Sequence, residues 1–412
     1  MVRRSKAVAV TGMGMVTAQG VGVDATWAGL CARREVLRTW SGAPAGHVLA
    51  GLKVGECPEV ARPRDLPERL WRELAGTQKF AAVCVDEALG QAGLPRVMPE
   101  GMGRVGLFMA TTVCGMDRSE KFYAQYREDR EGADVGLMRR LMPYEVLPLL
   151  ARRHGLEGPR QVCLSTCVGS AMAIGAACDA IELGECEMAL AGGAEALCRV
   201  VLSGFHALKV AAAEGCRPFD KNRPGMTVGE GAAVLVLESV EHAKRRGAKV
   251  LGYVRGFAAT CDAHHLTAPD PEGKQATRAI AEALGRAGVR PEEIDYVNAH
   301  GTGTRDNDAM ETRALRAAFT GGKGVPAVSS TKRLTGHTFG AAGAIEAGFC
   351  LQAMRTGVVP VNAGSVEADP ALELPVVREA MNKEMRHTLS CNFAFGGNNT
   401  ALVMSREWEE GR

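Results

Sequence analysis

Short strand-like runs alternate with helix-like stretches from one end of the chain to the other, and this alternation most constrains the fold. Two stretches between the runs, 273–289 and 340–357, carry apolar residues at helical spacing and stop at glycine. The alternation predicts an α/β protein with mainly parallel, buried sheets. The predicted strands are AVAVTGM (7–13), VGLFMATT (105–112), EMALAGG (187–193), AAVLVLES (232–239), VLGYVRGFAAT (250–260), IDYVNAHGT (294–302), VPAVSST (325–331) and TLSCNFAFGGNNTALVMS (388–405).

The strands form two series, which the charged segment EHAKRRGAK (241–249) separates. We predict this segment as a short helix and linker between two comparable halves, residues 1–245 and 246–412, which suggests an internal duplication. Residues 113–150 differ from both series, because they are charged, irregular in period and rich in long side chains. They are predicted to form an excursion on the surface or at a subunit contact.

Composition excludes several classes of protein. Lys plus Arg (49) nearly balance Asp plus Glu (47), which argues against a nucleic-acid-binding protein. The 13 cysteines are scattered singly along the chain, as in a reduced, cytoplasmic protein, and Cys84, Cys178, Cys186 and Cys350 are predicted to pack as small hydrophobes. No window of about 18 strongly apolar residues predicts a membrane span.

The N-terminal stretch MVRRSKAVAVTGMGMV has basic residues before an apolar run, as a signal peptide does. Thr11, Gly12 and Gly14 interrupt that run. A glycine-rich turn therefore fits this stretch better than a cleavable signal.

The stretch QVCLSTCVGSAMA (161–173) places Cys163 and Cys167 where an apolar run meets a run of small residues. Cys167 falls at the predicted strand-to-helix turn, where the helix N-terminus favours a thiolate, so it is a candidate nucleophile. Cys163 lies an even number of residues earlier in the apolar run and is predicted to pack. A metal pair would need two more ligands at familiar spacing, and none follows.

Three later stretches combine glycine-rich backbone with reactive side chains. In VNAHGTGTRDNDAME (297–311), His300 follows an apolar run and precedes a glycine turn, at the strand end where α/β sites form. In SSTKRLTGHTFGAAGAIEA (329–347), Lys332 and His337 precede a helix with one acid, Glu346, for which Lys332 is the expected partner. In NFAFGGNNT (392–400), Gly396 and Gly397 allow close backbone approach and could present an N–H to an oxyanion.

A cysteine followed by two histidines in glycine-rich loops, in this order, resembles the β-ketoacyl synthases, specifically the elongating type II class of the thiolase superfamily. The resemblance covers nearly the whole chain, and 113–150 resembles the family least. It rests on TGMGMVTAQG, STCVGSAMAIGAACDAIELGECEMALAGGAEA, CRPFDKNRPGMTVGEGAAVLVLE, NAHGTGT, KRLTGHTFGAAG and NFAFGGNN. It implies a thiolase-like, layered αβαβα fold built from two duplicated halves, with no cofactor and no metal.

The resemblance also implies roles for individual residues. Cys167 matches the acyl-accepting nucleophile, His300 and His337 the catalytic histidines, and Lys332 and Glu346 the supporting charged pair. Phe395 matches an aromatic gate whose backbone N–H forms the oxyanion hole with that of Cys167. Further positions match substrate contacts, namely Met226, Thr302, Thr304, Phe393 and Gly396. The implied reaction loads an acyl chain onto Cys167 and condenses it with a malonyl group that loses carbon dioxide.

Two departures from the family pattern point away from a housekeeping fatty-acid role. Met226 stands where an aromatic residue usually flanks the malonyl site, and Ser165-Thr166-Cys167 stands where Thr-Ala-Cys is commoner. Both look more like ketosynthases of type II polyketide or polyene pathways.

Other enzyme classes and a non-catalytic role are less compatible with the residues. His337 argues against a thiolase (Cys/His/Cys) and against an initiating ketosynthase (Cys/His/Asn). Cys167 and both histidines argue against a non-catalytic chain-length factor, which remains the alternative reading. No convincing G-x-S-x-G elbow or dinucleotide fingerprint is present, so neither a serine hydrolase nor a nicotinamide or flavin cofactor is predicted.

The implied partners are an acyl carrier protein and a second subunit, either another copy or a relative of the chain-length factor. Carrier proteins are acidic, so a nearly neutral chain needs a local basic rim. Arg139, Arg140 and Lys209 match positions where the family docks its carrier, and Arg69 and Arg72 are weaker candidates. The family dimerises through strands beside the nucleophile helix. No nucleic-acid or membrane partner is expected.

Overall fold

A computed structural model describes residues 7–43, 46–100 and 104–408. The basic residues at the start of the N-terminal stretch therefore lie outside the described part. Strands and helices alternate as predicted, and among the described residues no helix is both long and apolar enough to cross a lipid bilayer. The strands are β1 (Val8–Thr17), β2 (Gly20–Val21), β3 (Arg38–Thr39), β4 (Lys53–Val54), β5 (Val105–Ala110), β6 (Arg160–Cys163), β7 (Met188–Glu195), β8 (Gly231–Ser239), β9 (Gly252–Cys261), β10 (Tyr296–Asn298), β11 (Ala327–Ser329), β12 (Val358–Val359), β13 (Met381–Asn382), β14 (His387–Phe393) and β15 (Asn398–Ser405).

The helices alternate with these strands and include the two that the periodicity predicts, α9 and α12. They are α1 (Val23–Cys31), α2 (Glu68–Glu73), α3 (Gly76–Gln91), α4 (Met116–Glu128), α5 (Val146–His154), α6 (Gly169–Glu182), α7 (Arg199–Ala207), α8 (Val240–Arg245), α9 (Lys274–Ala287), α10 (Arg305–Ala318), α11 (Lys332–Thr335) and α12 (Ala342–Thr356). Helix α8 lies in the predicted linker. Helix α4 buries none of its residues, which agrees with a surface excursion over 113–150.

The main sheet consists of two groups of strands with the same order and the same directions. One group runs β1-β8-β7-β5-β6 and the other β9-β15-β14-β10-β11. In each group the first three strands pair antiparallel and the last three pair parallel. A short antiparallel contact between β1 and β9 joins the groups. The repeated topology is that expected of a duplicated chain.

The helices and the two strand groups stack in five layers. Helix α3 packs on β1, β7 and β8, and α9 packs on β9 and β15. Helices α6 and α12 pack against each other and contact both groups of strands. Helix α12 is buried on all sides, as an all-round apolar helix must be. The predicted αβαβα layering is therefore confirmed.

Three strand predictions were wrong. The sheet is mixed, not mainly parallel, and 388–405 forms two strands, because the turn between β14 and β15 contains Gly396 and Gly397 at φ 89° and 80°. A short turn of this kind can join only antiparallel strands. Strands β10 and β11 are also shorter than predicted, at three residues each.

The predicted glycine-rich turn at residues 11–14 was also wrong, since β1 runs straight through it. A Cβ atom on Gly12 would lie 2.2 Å from the carbonyl oxygen of Ala88, and one on Gly14 would lie 2.0 Å from that of Cys84. These glycines therefore allow α3 to pack directly against the backbone of β1.

Candidate active site

The candidate residues lie on loops that follow the parallel strands of both groups. In the second group, β10 and β11 are in register with Asn298 opposite Ser329, so the loops that carry His300 and His337 start side by side. In the first group, β6 ends at Cys163 and leads into the loop that carries Cys167. The carboxyl ends of parallel strands are where α/β proteins usually build their sites.

Cys167 lies in a tight 3₁₀ turn, Thr166–Val168, immediately before α6 begins at Gly169. Thr166 has a left-handed φ of 45°, which is rare for a β-branched residue. Its hydroxyl donates to the backbone carbonyl of Phe395 at 3.2 Å, so the strained turn is tied to the loop of the predicted gate. Cys163, by contrast, packs in the hydrophobic core as predicted.

The three predicted catalytic side chains meet in the structure. The Sγ atom of Cys167 lies 3.0 Å from Nε2 of His337, and the rings of His300 and His337 are 5.1 Å apart at 84°. Each of the three residues is at least 92% buried, with exposed fractions of 8%, 2% and 2% in the order Cys167, His300, His337. The arrangement places a thiol and two imidazoles around one point.

Burial sets the protonation state of this cluster. Burial lowers the pKa values of His300 and His337 well below the usual range, and the Lys332 charge lowers them further, so both rings are neutral. Burial also raises the pKa of Cys167 to about 12, against the opposing effect of Lys332. Burial of the sulfur thus opposes the thiolate that the helix N-terminus favours.

Lys332 and Glu346 form the expected ion pair in the buried interior. Asn392 Nδ2 donates to the other carboxylate oxygen of Glu346 at 2.5 Å. Burial raises the pKa of Glu346, and the Lys332 ammonium and the Asn392 amide oppose that shift. The pair brings one positive charge close to the histidines while balancing it within the protein.

The sulfur and nitrogen atoms of Cys167, His300 and His337 lie within 4.8 Å of one another, a spacing that a metal ion could span. The Lys332 charge acts on both imidazoles and opposes a cation between them. We therefore interpret the cluster as a nucleophile with two imidazoles.

A cavity of about 190 Å³ opens above the cluster. Met226, Thr302, Thr304 and Phe393, all predicted substrate contacts, line it together with Phe395. The hydroxyls of Thr302 and Thr304 lie 2.9 Å apart on one wall. The cavity is largely apolar at its aromatic side and polar near the threonines, which suits a thioester-bearing chain.

Gly396 and Gly397 do not take the predicted role of oxyanion donors. The Gly396 N–H donates to the carbonyl of Leu266 at 2.8 Å, and the Gly397 N–H donates to that of Ala394 at 3.0 Å. Gly396 also lies outside the cavity lining. Their positive φ values, 89° and 80°, form the turn between β14 and β15 instead. The backbone N–H of Phe395 remains the predicted donor to the oxyanion in this loop.

Sequence reasoning missed the acids that hold the loops around the site. The Glu311 carboxylate accepts from the backbone N–H groups of His300 and Gly301, each at 2.7 Å, and Asp308 accepts from that of Gly303 at 3.1 Å. Burial raises the pKa of Glu311 to about 8 and that of Asp308 to about 6. The acids of the stretch DNDAME, which follows His300 in the sequence, were the signal from which this role could have been predicted.

A third buried acid, Glu195, ends β7 and bridges the two strand groups. It accepts from the backbone N–H groups of Thr112, Val113 and Gly340, and from the hydroxyl of Thr111. It therefore fixes the loop after β5 against the turn that follows His337.

The predicted carrier-docking residues separate in the structure. Lys209 is exposed and lies between Leu208 and Val210, which line the cavity. Arg139 is exposed, but Arg140 is largely covered and pairs with Glu145 at 3.3 Å and with Glu73 at 3.7 Å. The weaker candidates are also paired, Arg69 with Glu73 and Arg72 with Glu68. Lys209 alone of these five residues adjoins the cavity lining.

Comparison with known proteins assigns the family. Residues 5–243 match the beta-ketoacyl synthase N-terminal domain, and residues 251–365 match the beta-ketoacyl synthase C-terminal domain. A Streptomyces cyaneus protein named "Putative polyketide beta-ketoacyl synthase 1" is 35% identical over 97% of this chain and 98% of its own length. The mitochondrial 3-oxoacyl-[acyl-carrier-protein] synthase of Arabidopsis thaliana is 33% identical over 97% of this chain and 93% of its own.

Solved structures agree with the sequence relatives. The ishigamide ketosynthase/chain length factor structure matches with a TM-score of 0.91 and 31% identity, over 98% of this chain and 100% of that one. The fold and the cluster of Cys167, His300 and His337 define an acyltransferase site of the thiolase type. The chain belongs to the β-ketoacyl synthase family.

Proposed function

We propose that this protein is a β-ketoacyl-[acyl-carrier-protein] synthase that catalyses decarboxylative condensation of an acyl group on Cys167 with malonyl-carrier. The observation that carries the proposal is the 3.0 Å contact between Cys167 Sγ and His337 Nε2, with His300 beside it at the base of the cavity. Family membership supports the same reaction.

In the first half-reaction, the Cys167 sulfur attacks the thioester carbonyl of an acyl-carrier. The thiol proton passes through water in the cavity to the departing carrier thiol, so the products are acyl-Cys167 and free carrier. The neutral His337 imidazole donates from Nε2 toward the sulfur and stabilises the negative charge that develops there as the thiol is deprotonated. The backbone N–H groups of Cys167 and Phe395 are proposed to stabilise the oxyanion.

In the second half-reaction, malonyl-carrier loses carbon dioxide and leaves an enolate whose oxygen accepts from Nε2 of His300 and His337. The enolate carbon attacks the acyl carbonyl, the C–S bond to Cys167 breaks, and the sulfur takes up a proton from water. Neutral imidazoles suit this role because they stabilise negative charge as it develops. Thr302, Thr304, Phe393 and Met226 are proposed to contact the substrates along the cavity wall.

The pathway we propose is chain elongation in fatty acid or type II polyketide or polyene synthesis, with the polyketide side favoured. Met226 in the cavity wall and the Ser-Thr-Cys sequence support that preference, as does the similarity to a ketosynthase/chain length factor structure. The proposed compartment is the cytoplasm.

The proposed assembly is a dimer, with either a second copy or a chain-length-factor-like subunit, that receives an acyl carrier protein at Lys209. Strand β6 stands at the end of the main sheet, and Leu164 directly after it is 58% exposed. An edge strand offers unpaired backbone groups to another chain, which supports dimerisation there. We also propose residues 1–245 and 246–412 as the two structural halves.

The test is mass spectrometry of the protein after incubation with acyl-carrier and then malonyl-carrier. Wild type should gain the acyl mass on Cys167 and then release a β-ketoacyl product. Cys167→Ala should lose labelling and condensation by at least about a thousandfold. Cys163→Ala is the matched control and should retain both, whereas full condensation by Cys167→Ala would refute the mechanism.

A further inference from the structure

Phe205 joins the predicted gate to the histidines through a chain of aromatic rings. Its ring stacks on that of Phe339 with centroids 5.2 Å apart at 13°, and lies 5.9 Å from the ring of Phe395. The Phe339 ring in turn lies 5.3 Å from that of His337. No other described ring contacts both Phe339 and Phe395.

The backbone around this chain needs support from side chains. Phe339 has a left-handed φ of 44°, a conformation that a bulky residue keeps only when its surroundings enforce it. Phe205 packs directly against this ring and also lines the cavity. The stack therefore helps to hold both the wall of the cavity and the turn that follows His337.

Phe395 is held from two sides. The Thr166 hydroxyl binds its backbone carbonyl, and the Phe205 ring lies beside its side chain. Behind these contacts the Cys167 side chain is only 8% exposed. Removal of the Phe205 ring would leave the Thr166 hydroxyl bond to hold the Phe395 backbone but would remove this ring contact from the Phe395 side chain.

The helix that carries Phe205 is weakly anchored. Leu202 is the one buried residue of α7, and the helix ends beside Leu208, a cavity-lining residue that is 50% exposed. Lys209 follows with φ 58° and an exposed side chain. A partner that contacts Lys209 therefore lies one turn of helix from the Phe205 ring.

We propose that Phe205 is a positioning and specificity residue: its ring holds Phe395 closed over Cys167, so that small thioesters and water are kept out until α7 moves. The link to carrier docking at Lys209 rests on the proposed function. The shielding of Cys167 does not, because it is argued from the ring contacts and the burial of Cys167.

The first test measures alkylation of Cys167 by iodoacetamide, followed on the peptide that contains it because other cysteines are exposed. Phe205→Ala should react about 2- to 10-fold faster than wild type, the range expected from loss of an aromatic pair. Phe205→Leu keeps much of the side-chain volume, so its alkylation rate should lie between those of wild type and Phe205→Ala. This variant also tests the proposal if Phe205→Ala fails to fold. Val200→Ala, at a 54% exposed position of the same helix, is the control and should react as wild type.

Equal alkylation rates in wild type and a folded Phe205→Leu or Phe205→Ala would overturn the shielding role. Thermal melting of each variant shows whether it is folded. A variant that melts earlier yet alkylates at the wild-type rate would show that Phe205 serves stability alone.

The second test compares loading of Cys167 by one acyl group on two donors, a carrier protein and N-acetylcysteamine. Phe205→Ala or Phe205→Leu should raise loading from the small thioester relative to the carrier by about 2- to 10-fold. Lys209→Ala should slow loading from the carrier alone. If the ratio of loading from the small thioester to loading from the carrier is unchanged in the Phe205 variants, the specificity role is overturned. If wild type accepts an acyl group from neither donor, the proposed function is overturned, but the alkylation result still stands.

Discussion

The two halves of the molecule share one scaffold but place different chemistry on it. Strands β6 and β11 are the outermost strands of their groups, and each leads to a 3₁₀ turn and then to a central helix, α6 or α12. The first residue of each turn has a left-handed φ, 45° at Thr166 and 44° at Phe339. The next residue is Cys167 in one half and Gly340 in the other.

This difference shows how a duplicated turn can serve two purposes. A Cβ atom on Gly340 would lie 2.5 Å from the Glu195 carboxylate, which binds the Gly340 N–H. The second turn therefore has no room for a reactive side chain, because it is used to join the halves. The nucleophile is confined to the first half, and the imidazoles and the lysine to the second.

One buried acid in each half shows two different ways of stabilising a carboxylate. Glu195 in the first half is held by neutral hydrogen-bond donors, whereas Glu346 in the second half is paired with Lys332. The positive charge thus lies with the histidines. The following variants test this division, from the largest expected effect to the smallest.

Replacing His337 should separate the two half-reactions. His337→Ala is expected to slow carbon dioxide release and condensation by about 10²- to 10⁴-fold, because one of two donors to the enolate is lost. Acyl loading of Cys167 should fall less, since the nucleophile itself remains. Both steps can be measured in one preparation by mass spectrometry and release of labelled carbon dioxide; equal losses in the two would remove the assigned role.

Removing one partner of the Lys332–Glu346 pair should destabilise the fold. Lys332→Met leaves a buried, unpaired carboxylate, with an expected loss of about 3–5 kcal/mol in the free energy of unfolding. The double variant Lys332→Met with Glu346→Leu should be less damaged than the single one. Lys221→Met is the surface control, because Lys221 and Glu367 form an exposed ion pair, and it should leave the free energy of unfolding close to that of wild type. Urea unfolding distinguishes these outcomes, and a loss as small as the control's would contradict the buried-pair account.

Glu195 should contribute to the dependence of stability on pH. Burial raises its pKa from 4.5 to about 7, so the folded protein keeps a proton that the unfolded chain loses between these values. Stability contributed at low pH is therefore lost as the pH rises from about 4.5 to about 7, by up to about 3 kcal/mol. Glu195→Gln should flatten this part of the curve in urea unfolding at pH 5 and pH 7.5. An unchanged slope would show that Glu195 is ionised throughout.

Local pattern predicted the features that depend on neighbouring residues. Short apolar runs predicted strands β5, β7, β8 and β9, and apolar residues at helical spacing predicted helices α9 and α12. The rule that a buried acid needs a partner gave the contact between Lys332 and Glu346. The meeting of Cys167 with both histidines came from the resemblance, because residues 133 positions apart share no local signal.

The features that sequence reasoning missed depend on packing between distant segments. Gly12 and Gly14 were predicted to form a turn, because nothing in the local sequence shows that helix α3 packs against them. Glu311 reads as one acid of a polar helix, and only the fold shows that it reaches back to the His300 backbone. Strand direction is likewise set by long-range pairing, so the mixed sheet could not be predicted from period alone.

The smallest effect concerns the strained turn before the nucleophile. Because Thr166 has φ 45°, glycine should be more stable than alanine at this position by about 1 kcal/mol, the reverse of the usual order. Both Thr166→Gly and Thr166→Ala lose the hydroxyl bond to Phe395, so that loss cancels between them. The control is Ala281, an exposed residue in the middle of α9, where replacement by glycine should cost about 1 kcal/mol. If urea unfolding shows the same order at both positions, the left-handed turn is not a source of strain, and its repetition at Phe339 would reflect common descent of the halves rather than a constraint on the site.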